Sequence, residues 1–167
     1  MEQYHFVIIG ESREQAYLQQ LVAENNLTNV ELTGYIPFEK AASYIMASKI
    51  GLCPFLRNLH HDTTYSNKMF QYMAYGKAVI ASDCSAQANI VRKEECGLIF
   101  EAGNAADLAK QILKLNDKQL LDKYGKIGLD TVNRKYNTKV GHQELIRLYQ
   151  SLNNNHFIEK HQPDAIQ

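Results

Sequence analysis

The stretch Ser66-Asn67-Lys68-Met69-Phe70-Gln71-Tyr72-Met73-Ala74-Tyr75-Gly76-Lys77-Ala78-Val79-Ile80-Ala81-Ser82-Asp83 constrains the fold more than any other part of the chain. Ser66 is a residue type that favours a helix N-cap, Gly76 is one that stops a helix, and Met69, Phe70 and Met73 recur between them at helical spacing. These features predict a short helix. After the Gly76-Lys77 turn, Ala78-Val79-Ile80-Ala81 is an apolar run short enough to be a strand covered on both faces, and the polar Ser82-Asp83 closes it. A helix, a tight turn and a buried strand make an α/β unit.

The polar residues of that helix gather near its start. Asn67 and Gln71 stand at i and i+4, Lys68 and Gln71 at i and i+3. The same turn carries backbone N–H groups without helical partners and the positive end of the helix dipole, which together suit a phosphate or a sugar hydroxyl. Taken alone, the pattern fits the solvated side of an amphipathic helix better.

The rest of the chain repeats the alternation. Residues 4–10 read as a buried strand through Phe6-Val7-Ile8-Ile9, ended by Gly10, and lead into a helix over about 13–25 with Tyr17, Leu18, Leu21 and Val22 inward. A second strand covers 29–34, the turn Gly34-Tyr35-Ile36-Pro37 opens a helix over 39–47, and further strands are expected over 49–54, 78–82 and 96–100. From Asn104, which caps a helix with Asp107 three residues on, the chain turns helical. Ala105, Leu108, Ala109, Ile112 and Leu113 form its stripe. Residues 117–136 are polar and interrupted by Gly125 and Gly128, and 138–152 place Leu145, Leu148, Tyr149 and Leu152 on one face. This alternation predicts an α/β fold, a doubly wound parallel sheet with helices on both faces, and ligands beyond the carboxyl ends of the strands. Those ends are Gly10-Glu11-Ser12, Gly34-Tyr35-Ile36, residues 54–65 and Ser82-Asp83. The long 55–65 segment, rich in His, Asn and Thr, reads as substrate-facing or as a mobile surface loop. Residues 1–152 are expected to form one domain and the Asn-rich, polar 153–167 a loosely ordered tail.

Several function classes fall away. With 18 Lys plus Arg against 18 Asp plus Glu in 167 residues, no basic field exists to attract nucleic acid. Gly10-Glu11-Ser12-Arg13 lacks the three-glycine dinucleotide fingerprint, and Gly76-Lys77 is followed by Ala78 where a Walker loop needs Ser or Thr. No strand end presents the converging carboxylates of a phosphoryl-accepting domain. Cys53, Cys84 and Cys96 are widely spaced and sit in or beside apolar runs, so they read as buried thiols rather than zinc ligands. Adjacent His60 and His61, with Asp62, do not have the spacing of a ligand set, and neither a metal nor a cofactor is expected. No apolar run approaches the ~20 residues of a membrane span, and no charged and apolar leader opens the chain. A cytoplasmic location is therefore expected.

Residues 66–82 resemble the donor-site segment of retaining glycosyltransferases of the GT-B fold, the large family 4 group, one branch of which reads Pro-Asn-Lys, two residues, Glu-Tyr-Met-Ala, a variable residue, Gly-Lys-Pro-Val. Weaker matches fall in order: Ile8-Ile9-Gly10 is similar to the family's strand ending in glycine, and Asn29-Val30, Leu32 and Gly34-Tyr35-Ile36-Pro37 to its Asn-Val through Gly-x-Val-Pro segment. The resemblance covers about residues 4–152 and implies the Rossmann-like, donor-binding half of a GT-B enzyme. It further implies a UDP- or GDP-linked sugar as ligand, bound by Gly10, Tyr35, Ile36, Thr63, Thr64, Asn67, Lys68 and Gln71. Tyr35 and Ile36 would offer backbone groups to the base, Asn67 and Lys68 would meet diphosphate or sugar, Gln71 would face the ribose, and Thr63 and Thr64 would lie near the transferred sugar.

Three departures stand out. Gln71 occupies the position of the family's ribose-gripping Glu, Thr63 that of its paired Glu eight residues earlier, and Ala78 that of a Pro. A neutral amide still bonds a diol but loses charge-assisted bonds roughly twice as strong. The family's N-terminal acceptor half, and an Arg and a Lys after an earlier strand of this domain, have no counterpart in the sequence. The resemblance thus implies a glycosyltransferase part that needs the other half in cis or in trans, and through that half a peripheral membrane association. Alone it should be inactive. The alternative is a non-catalytic nucleotide-binding or interaction module that kept the fold. If residues 4–9 match the second strand of a 3-2-1-4-5-6 sheet, the central strand is lacking, so its two neighbours should either pair directly or keep unpaired edges.

Overall fold

The computed structural model describes residues 3–159. Its elements run β1 (Phe6–Ile9), α1 (Gln15–Glu24), β2 (Val30–Gly34), α2 (Phe38–Ala47), β3 (Ile50–Cys53), α3 (Leu59–Thr63), α4 (Asn67–Ala74), β4 (Ala78–Ser82), α5 (Ser85–Glu94), β5 (Gly97–Phe100), α6 (Ala105–Lys114), α7 (Lys118–Arg134) and α8 (Thr138–Glu159). All strand pairing is parallel. Each expected strand is present within a residue or two of its expected ends.

Strand β4, the apolar run 78–81 with Ser82, forms the centre of the larger sheet, between β3 and β5, and every residue of it is buried. Its side chains alternate, as a pleated strand requires. Val79 and Ala81 join Met69 and Met73 of α4, Ile90 and Val91 of α5 and Val132 of α7 in one apolar cluster. Ala78 and Ile80 join Phe100, Ile112 and Leu115 in another, on the opposite face. Helices cover both faces because this strand offers apolar side chains to both.

Helix α4 ends as its sequence predicts. Gly76 takes φ +64°, its N–H donates to the Met73 carbonyl at 2.9 Å, and the Lys77 N–H donates to that of Tyr72 at 2.9 Å. This is a Schellman turn, which favours glycine because a Cβ is disfavoured at positive φ. At the other end Ser66 holds the N-cap position, but its hydroxyl caps nothing.

The helices differ from expectation at several points. Helix α7 is unbroken: Gly125 and Gly128 are buried contact points rather than interruptions, and a Cβ on Gly125 would clash with the Gly76 carbonyl oxygen. Helix α5 follows from no apolar stripe in its sequence, yet Ala86, Gln87, Ala88, Ile90 and Val91 are buried. In α6, Leu113 turns outward and Leu115, just beyond the helix, is buried in its place. In α1, Tyr17 is exposed and no residue is buried. The stripe Leu145, Leu148, Tyr149 and Leu152 of α8 faces outward throughout. Helix α8 also continues to Glu159, past the boundary expected at 152. The rest of the expected polar tail, residues 160–167, lies outside the described residues.

The sheet is in two parts. One carries the order β1-β2, the other β3-β4-β5, and no ladder joins them among the described residues. Of the two outcomes expected for a lacking central strand, the structure has the unpaired edges. Side chains hold the parts together: Tyr4 and Phe6 pack against the Ala78 and Ile80 cluster, and the Tyr4 hydroxyl donates to Asn116 Oδ1 at 2.6 Å.

An ion pair ties the end of α5 to the end of α7. Lys135 Nζ lies 2.6 Å from Glu94 Oε1, and the Tyr136 hydroxyl donates to the same oxygen at 3.0 Å. The Lys135 bond first, and the Tyr136 bond with it, holds the Glu94 carboxyl below its ordinary value of 4.5. A carboxyl more acidic in the folded than in the unfolded state stabilises the fold above its unfolded pKa, and that contribution disappears as pH falls through the folded value. Glu94→Gln should therefore lower the melting temperature at neutral pH, with the gap to wild type closing below about pH 4. A gap that stays constant into acid would show that the pair contributes no pH-linked stability.

Candidate functional site

Within each sheet the parallel strands deliver their carboxyl ends to one edge, and the segments expected to bind follow those ends. The best-ordered part follows β3. The 55–65 segment is not all loop: Asn58 Oδ1 accepts the His61 N–H at 2.8 Å and caps the short helix α3. The Phe55 and His61 rings pack with centroids 4.7 Å apart. Arg57 Nη2 donates to Asp62 Oδ1 at 3.1 Å and to Ser85 Oγ at 3.2 Å, and Arg57 Nη1 lies 3.7 Å from Asp83 Oδ2. The Ser85 N–H, at the start of α5, donates to Asp62 Oδ1 at 2.7 Å and is the main reason the Asp62 carboxyl lies below its ordinary range. Asp83 Oδ1 accepts the Ala102 N–H at 3.0 Å. One guanidinium and two carboxylates thus tie the ends of β3, β4 and β5 together.

Helix α4 meets this network from the side. Lys68 is half-buried, with Nζ 4.4 Å from the centroid of the Phe55 ring, so its ammonium sits at the carboxyl edge beside the start of its own helix. Asn67 is exposed in the first turn and Gln71 is half-buried. The Thr64 carbonyl accepts from Gln87 Nε2 at 3.1 Å, while Gln87 Oε1 is buried without a partner. The Thr63 hydroxyl donates to the Leu59 carbonyl at 2.7 Å, back into α3. Lys68 thus meets Phe55, Asn67 and Gln71 lie on the same helix, Thr64 meets Gln87 of α5, and Thr63 is turned to its own helix.

The other expected residues stand apart. Gly10 takes φ +120° and donates its N–H to the Gly34 carbonyl at 2.9 Å, closing β1 against β2. Tyr35, 74% exposed, and half-buried Ile36 follow β2. No hydrogen bond, ion pair or ring contact joins any of these three to Lys68 or Gln71 among the described residues. Sequence reasoning missed Arg57, Asp62, Asp83, Ser85 and Gln87. Only the Asn58 cap three residues before His61 carried a local signal.

Two shallow cavities, of about 300 Å³ and 270 Å³, open elsewhere. The first is lined by Arg92, Glu95, Gly97 and Tyr124, the second by Lys49, Gly76, Lys77 and Asp122, both at the amino ends of the strands. Ligand sites of parallel sheets lie at the other edge. Among the described residues no group of three or more His, Cys, Asp or Glu side chains is placed to hold a metal, and no helix is long and apolar enough to cross a membrane.

The cysteines are core residues. Cys53, Cys84 and Cys96 are all buried and free. Burial pushes the Cys53 thiol up to about 12, against the opposing pull of the Lys68 ammonium, and the Cys96 thiol up to about 11. The thiolate is the reactive form, so a folded chain at about pH 8 should not react with a disulfide reagent until denaturant is added, when all of its three thiols should. Rapid modification of the native chain would show that the core opens on the reagent's timescale.

Comparison with known proteins matches this architecture. The family model described as Glycosyl transferases group 1 matches residues 1–118. The chain belongs to that family. An uncharacterized glycosyltransferase of Methanocaldococcus jannaschii, MJ1178, is 29% identical over 126 residues, 75% of this chain and 34% of the relative. Another from the same organism, MJ1069, is 25% identical over 155 residues, 92% of this chain and 38% of the relative. The chain thus spans little more than a third of the length of the curated relatives it matches. Sucrose-phosphate synthase from Thermosynechococcus elongatus superposes with a TM-score of 0.76 at 26% identity, over 89% of this chain and 38% of that one. HepE from Anabaena, solved in complex with UDP, superposes with a TM-score of 0.77 over 89% of this chain and 41% of that one, and at 16% identity it shows the fold alone. The fold of this group 1 chain is that of part of a GT-B glycosyltransferase.

Proposed function

We propose that this chain is the donor-binding part of a glycosyltransferase that moves a sugar from a nucleotide-sugar to a glycan or lipid-linked acceptor. The observation that carries the reading is the placement of Lys68 at the carboxyl edge, over the Phe55 ring, with Asn67 and Gln71 on the first turns of the same helix. A diphosphate there would meet an ammonium, unpaired backbone N–H groups and a helix dipole at once. Gln71 would face the ribose and Thr64 the sugar, with Gly10, Tyr35 and Ile36 completing the base side from β1 and β2. The UDP complex of HepE supports a UDP-linked sugar as the first donor to try.

Transfer itself is positioning plus stabilisation of a departing diphosphate, and both need a wall opposite this edge. The chain alone would then bind without turnover, and the complementary half, in cis or in trans, would supply the acceptor. Such a half could also bring a cytoplasmic enzyme to a membrane surface. The second reading, a module that binds a nucleotide without catalysis, is favoured by the Thr63 hydroxyl, which is engaged with Leu59 where the family's Glu would act. An NMR titration with UDP and GDP tests the shared core of both readings. Amide shifts confined to residues 65–71 and their neighbours are expected, and a titration that moves none of them removes the proposal. Sugar transfer by the isolated chain would remove the claim that it needs a second half.

A further inference from the structure

We infer that Gln87 is a positioning residue of the proposed donor site: by holding the Thr64 carbonyl, its buried amide sets where the first turn of α4, and Lys68 on it, meets a nucleoside diphosphate. This role rests on the donor-site reading of the carboxyl edge. Gln87 lies in the first turn of α5 and is 2% exposed, on a helix whose other buried residues are Ala86, Ala88, Ile90 and Val91. A glutamine so deeply buried among apolar residues needs a partner to justify it. Its Nε2 donates to the Thr64 carbonyl at 3.1 Å, and Thr64 caps the end of α3 two residues before Ser66 opens α4.

The grip has a cost that packing alone would avoid. Facing a carbonyl, the amide can present only its NH2, so Oε1 is turned away from Thr64. There it is buried with no partner, the one such side-chain atom among the described residues. A methionine would fill a similar volume without that orphaned acceptor, so filling the core does not by itself call for glutamine. What the glutamine adds is a fixed end for the connection between α3 and α4.

Helix α4 does not fix its own start. Ser66 stands at the N-cap but its hydroxyl caps nothing, which leaves the opening N–H groups without a side-chain partner. A capping side chain would hold the first turn but occupy donors that a diphosphate needs. The turn is held from α5 instead, by residues two apart: the Ser85 N–H donates to Asp62 Oδ1 at 2.7 Å, and Gln87 Nε2 to the Thr64 carbonyl. The first bond shares its carboxylate with exposed Arg57. The second comes from a buried group and acts closer to Lys68, whose ammonium depends on the placement of α4 to reach the Phe55 ring.

Gln87→Met separates positioning from packing. Thr64 is exposed, so its carbonyl turns to water when the donor is removed, and the melting temperature should stay at or above that of wild type. UDP affinity should nonetheless fall about fivefold, the worth of one neutral hydrogen bond, because the binding-competent placement of α4 is then only part of the population. In the ligand-free chain the amide signals of residues 64–68 should shift while those flanking Gly76 stay in place. Gln87→Glu adds a pH profile. Its carboxyl donates to Thr64 only while protonated, and burial favours that form, so affinity relative to wild type should fall as pH rises from about 5 to about 9. A Gln87→Met affinity within about twofold of wild type overturns the positioning role, as does a Gln87→Glu ratio that stays flat with pH. An affinity loss matched by a fall in melting temperature would make Gln87 a packing residue alone. If the wild-type chain binds no UDP, the donor-site reading fails and this role with it, whereas wild-type binding with unimpaired variants removes only the role of Gln87.

Discussion

Alanine in place of Gly125 is expected to destabilise the protein by about 3 kcal/mol, the upper part of the usual range for overpacking a rigid contact. Helix α7 crosses the Gly76 turn so closely that the added Cβ would clash with the Gly76 carbonyl oxygen, and the next nearest atoms are also backbone, the Gly76 carbonyl carbon and the Ala78 nitrogen. None of them can rotate away as a side chain would. The turn cannot yield either, because Gly76 and Lys77 are pinned by the Schellman bonds to Met73 and Tyr72. Intrinsic helix propensity points the other way and would make Gly→Ala stabilising by about 1 kcal/mol. Gly141 in α8 is the control: nothing lies within 4 Å of its Cβ, so Gly141→Ala should follow propensity and gain stability. Urea unfolding of both variants measures the pair. Equal, positive changes would mean that α7 does not approach the Gly76 turn as described.

Lys68→Ala is expected to weaken UDP binding about tenfold, the loss of one hydrogen bond to a charged group. The substitution also removes the Lys68 contact with Phe55, worth about 0.5–1 kcal/mol to the fold, so Lys68→Met, which keeps most of the apolar stem, separates lost packing from lost charge. Both variants should bind weakly and with a shallower salt dependence. Lys77→Ala should not: its ammonium donates to the Met46 carbonyl at 2.7 Å and lines the cavity at the amino ends of the strands. If Lys77→Ala weakens UDP binding as much as Lys68→Ala does, the ligand sits at the amino edge and the proposed site is wrong. The melting temperatures of the three variants show whether any loss is merely loss of fold.

The amino-acid sequence by itself determined what local stereochemistry and periodicity determine. The run 78–81 became a strand buried on both faces because no polar side chain interrupts it, and α4 stopped at Gly76 because glycine bears the left-handed turn at least cost. The parallel α/β class and the buried cysteines were legible for similar reasons. What only the tertiary structure decided depends on residues far apart in the chain. Gly125 and Gly128 read as helix interruptions until Gly76 and Met73 are seen against them. The 55–65 segment reads as a loose loop until Asp62 reaches the first N–H of α5, and polar α5 hides its burial because small Ala86 and Ala88 let it lie close to the sheet. Apolar content, conversely, does not guarantee burial. The β1 run and the α8 stripe carry the sequence pattern of covered elements and stand open, because a pattern specifies which face seeks a partner, and only the assembled chain contains that partner or lacks it.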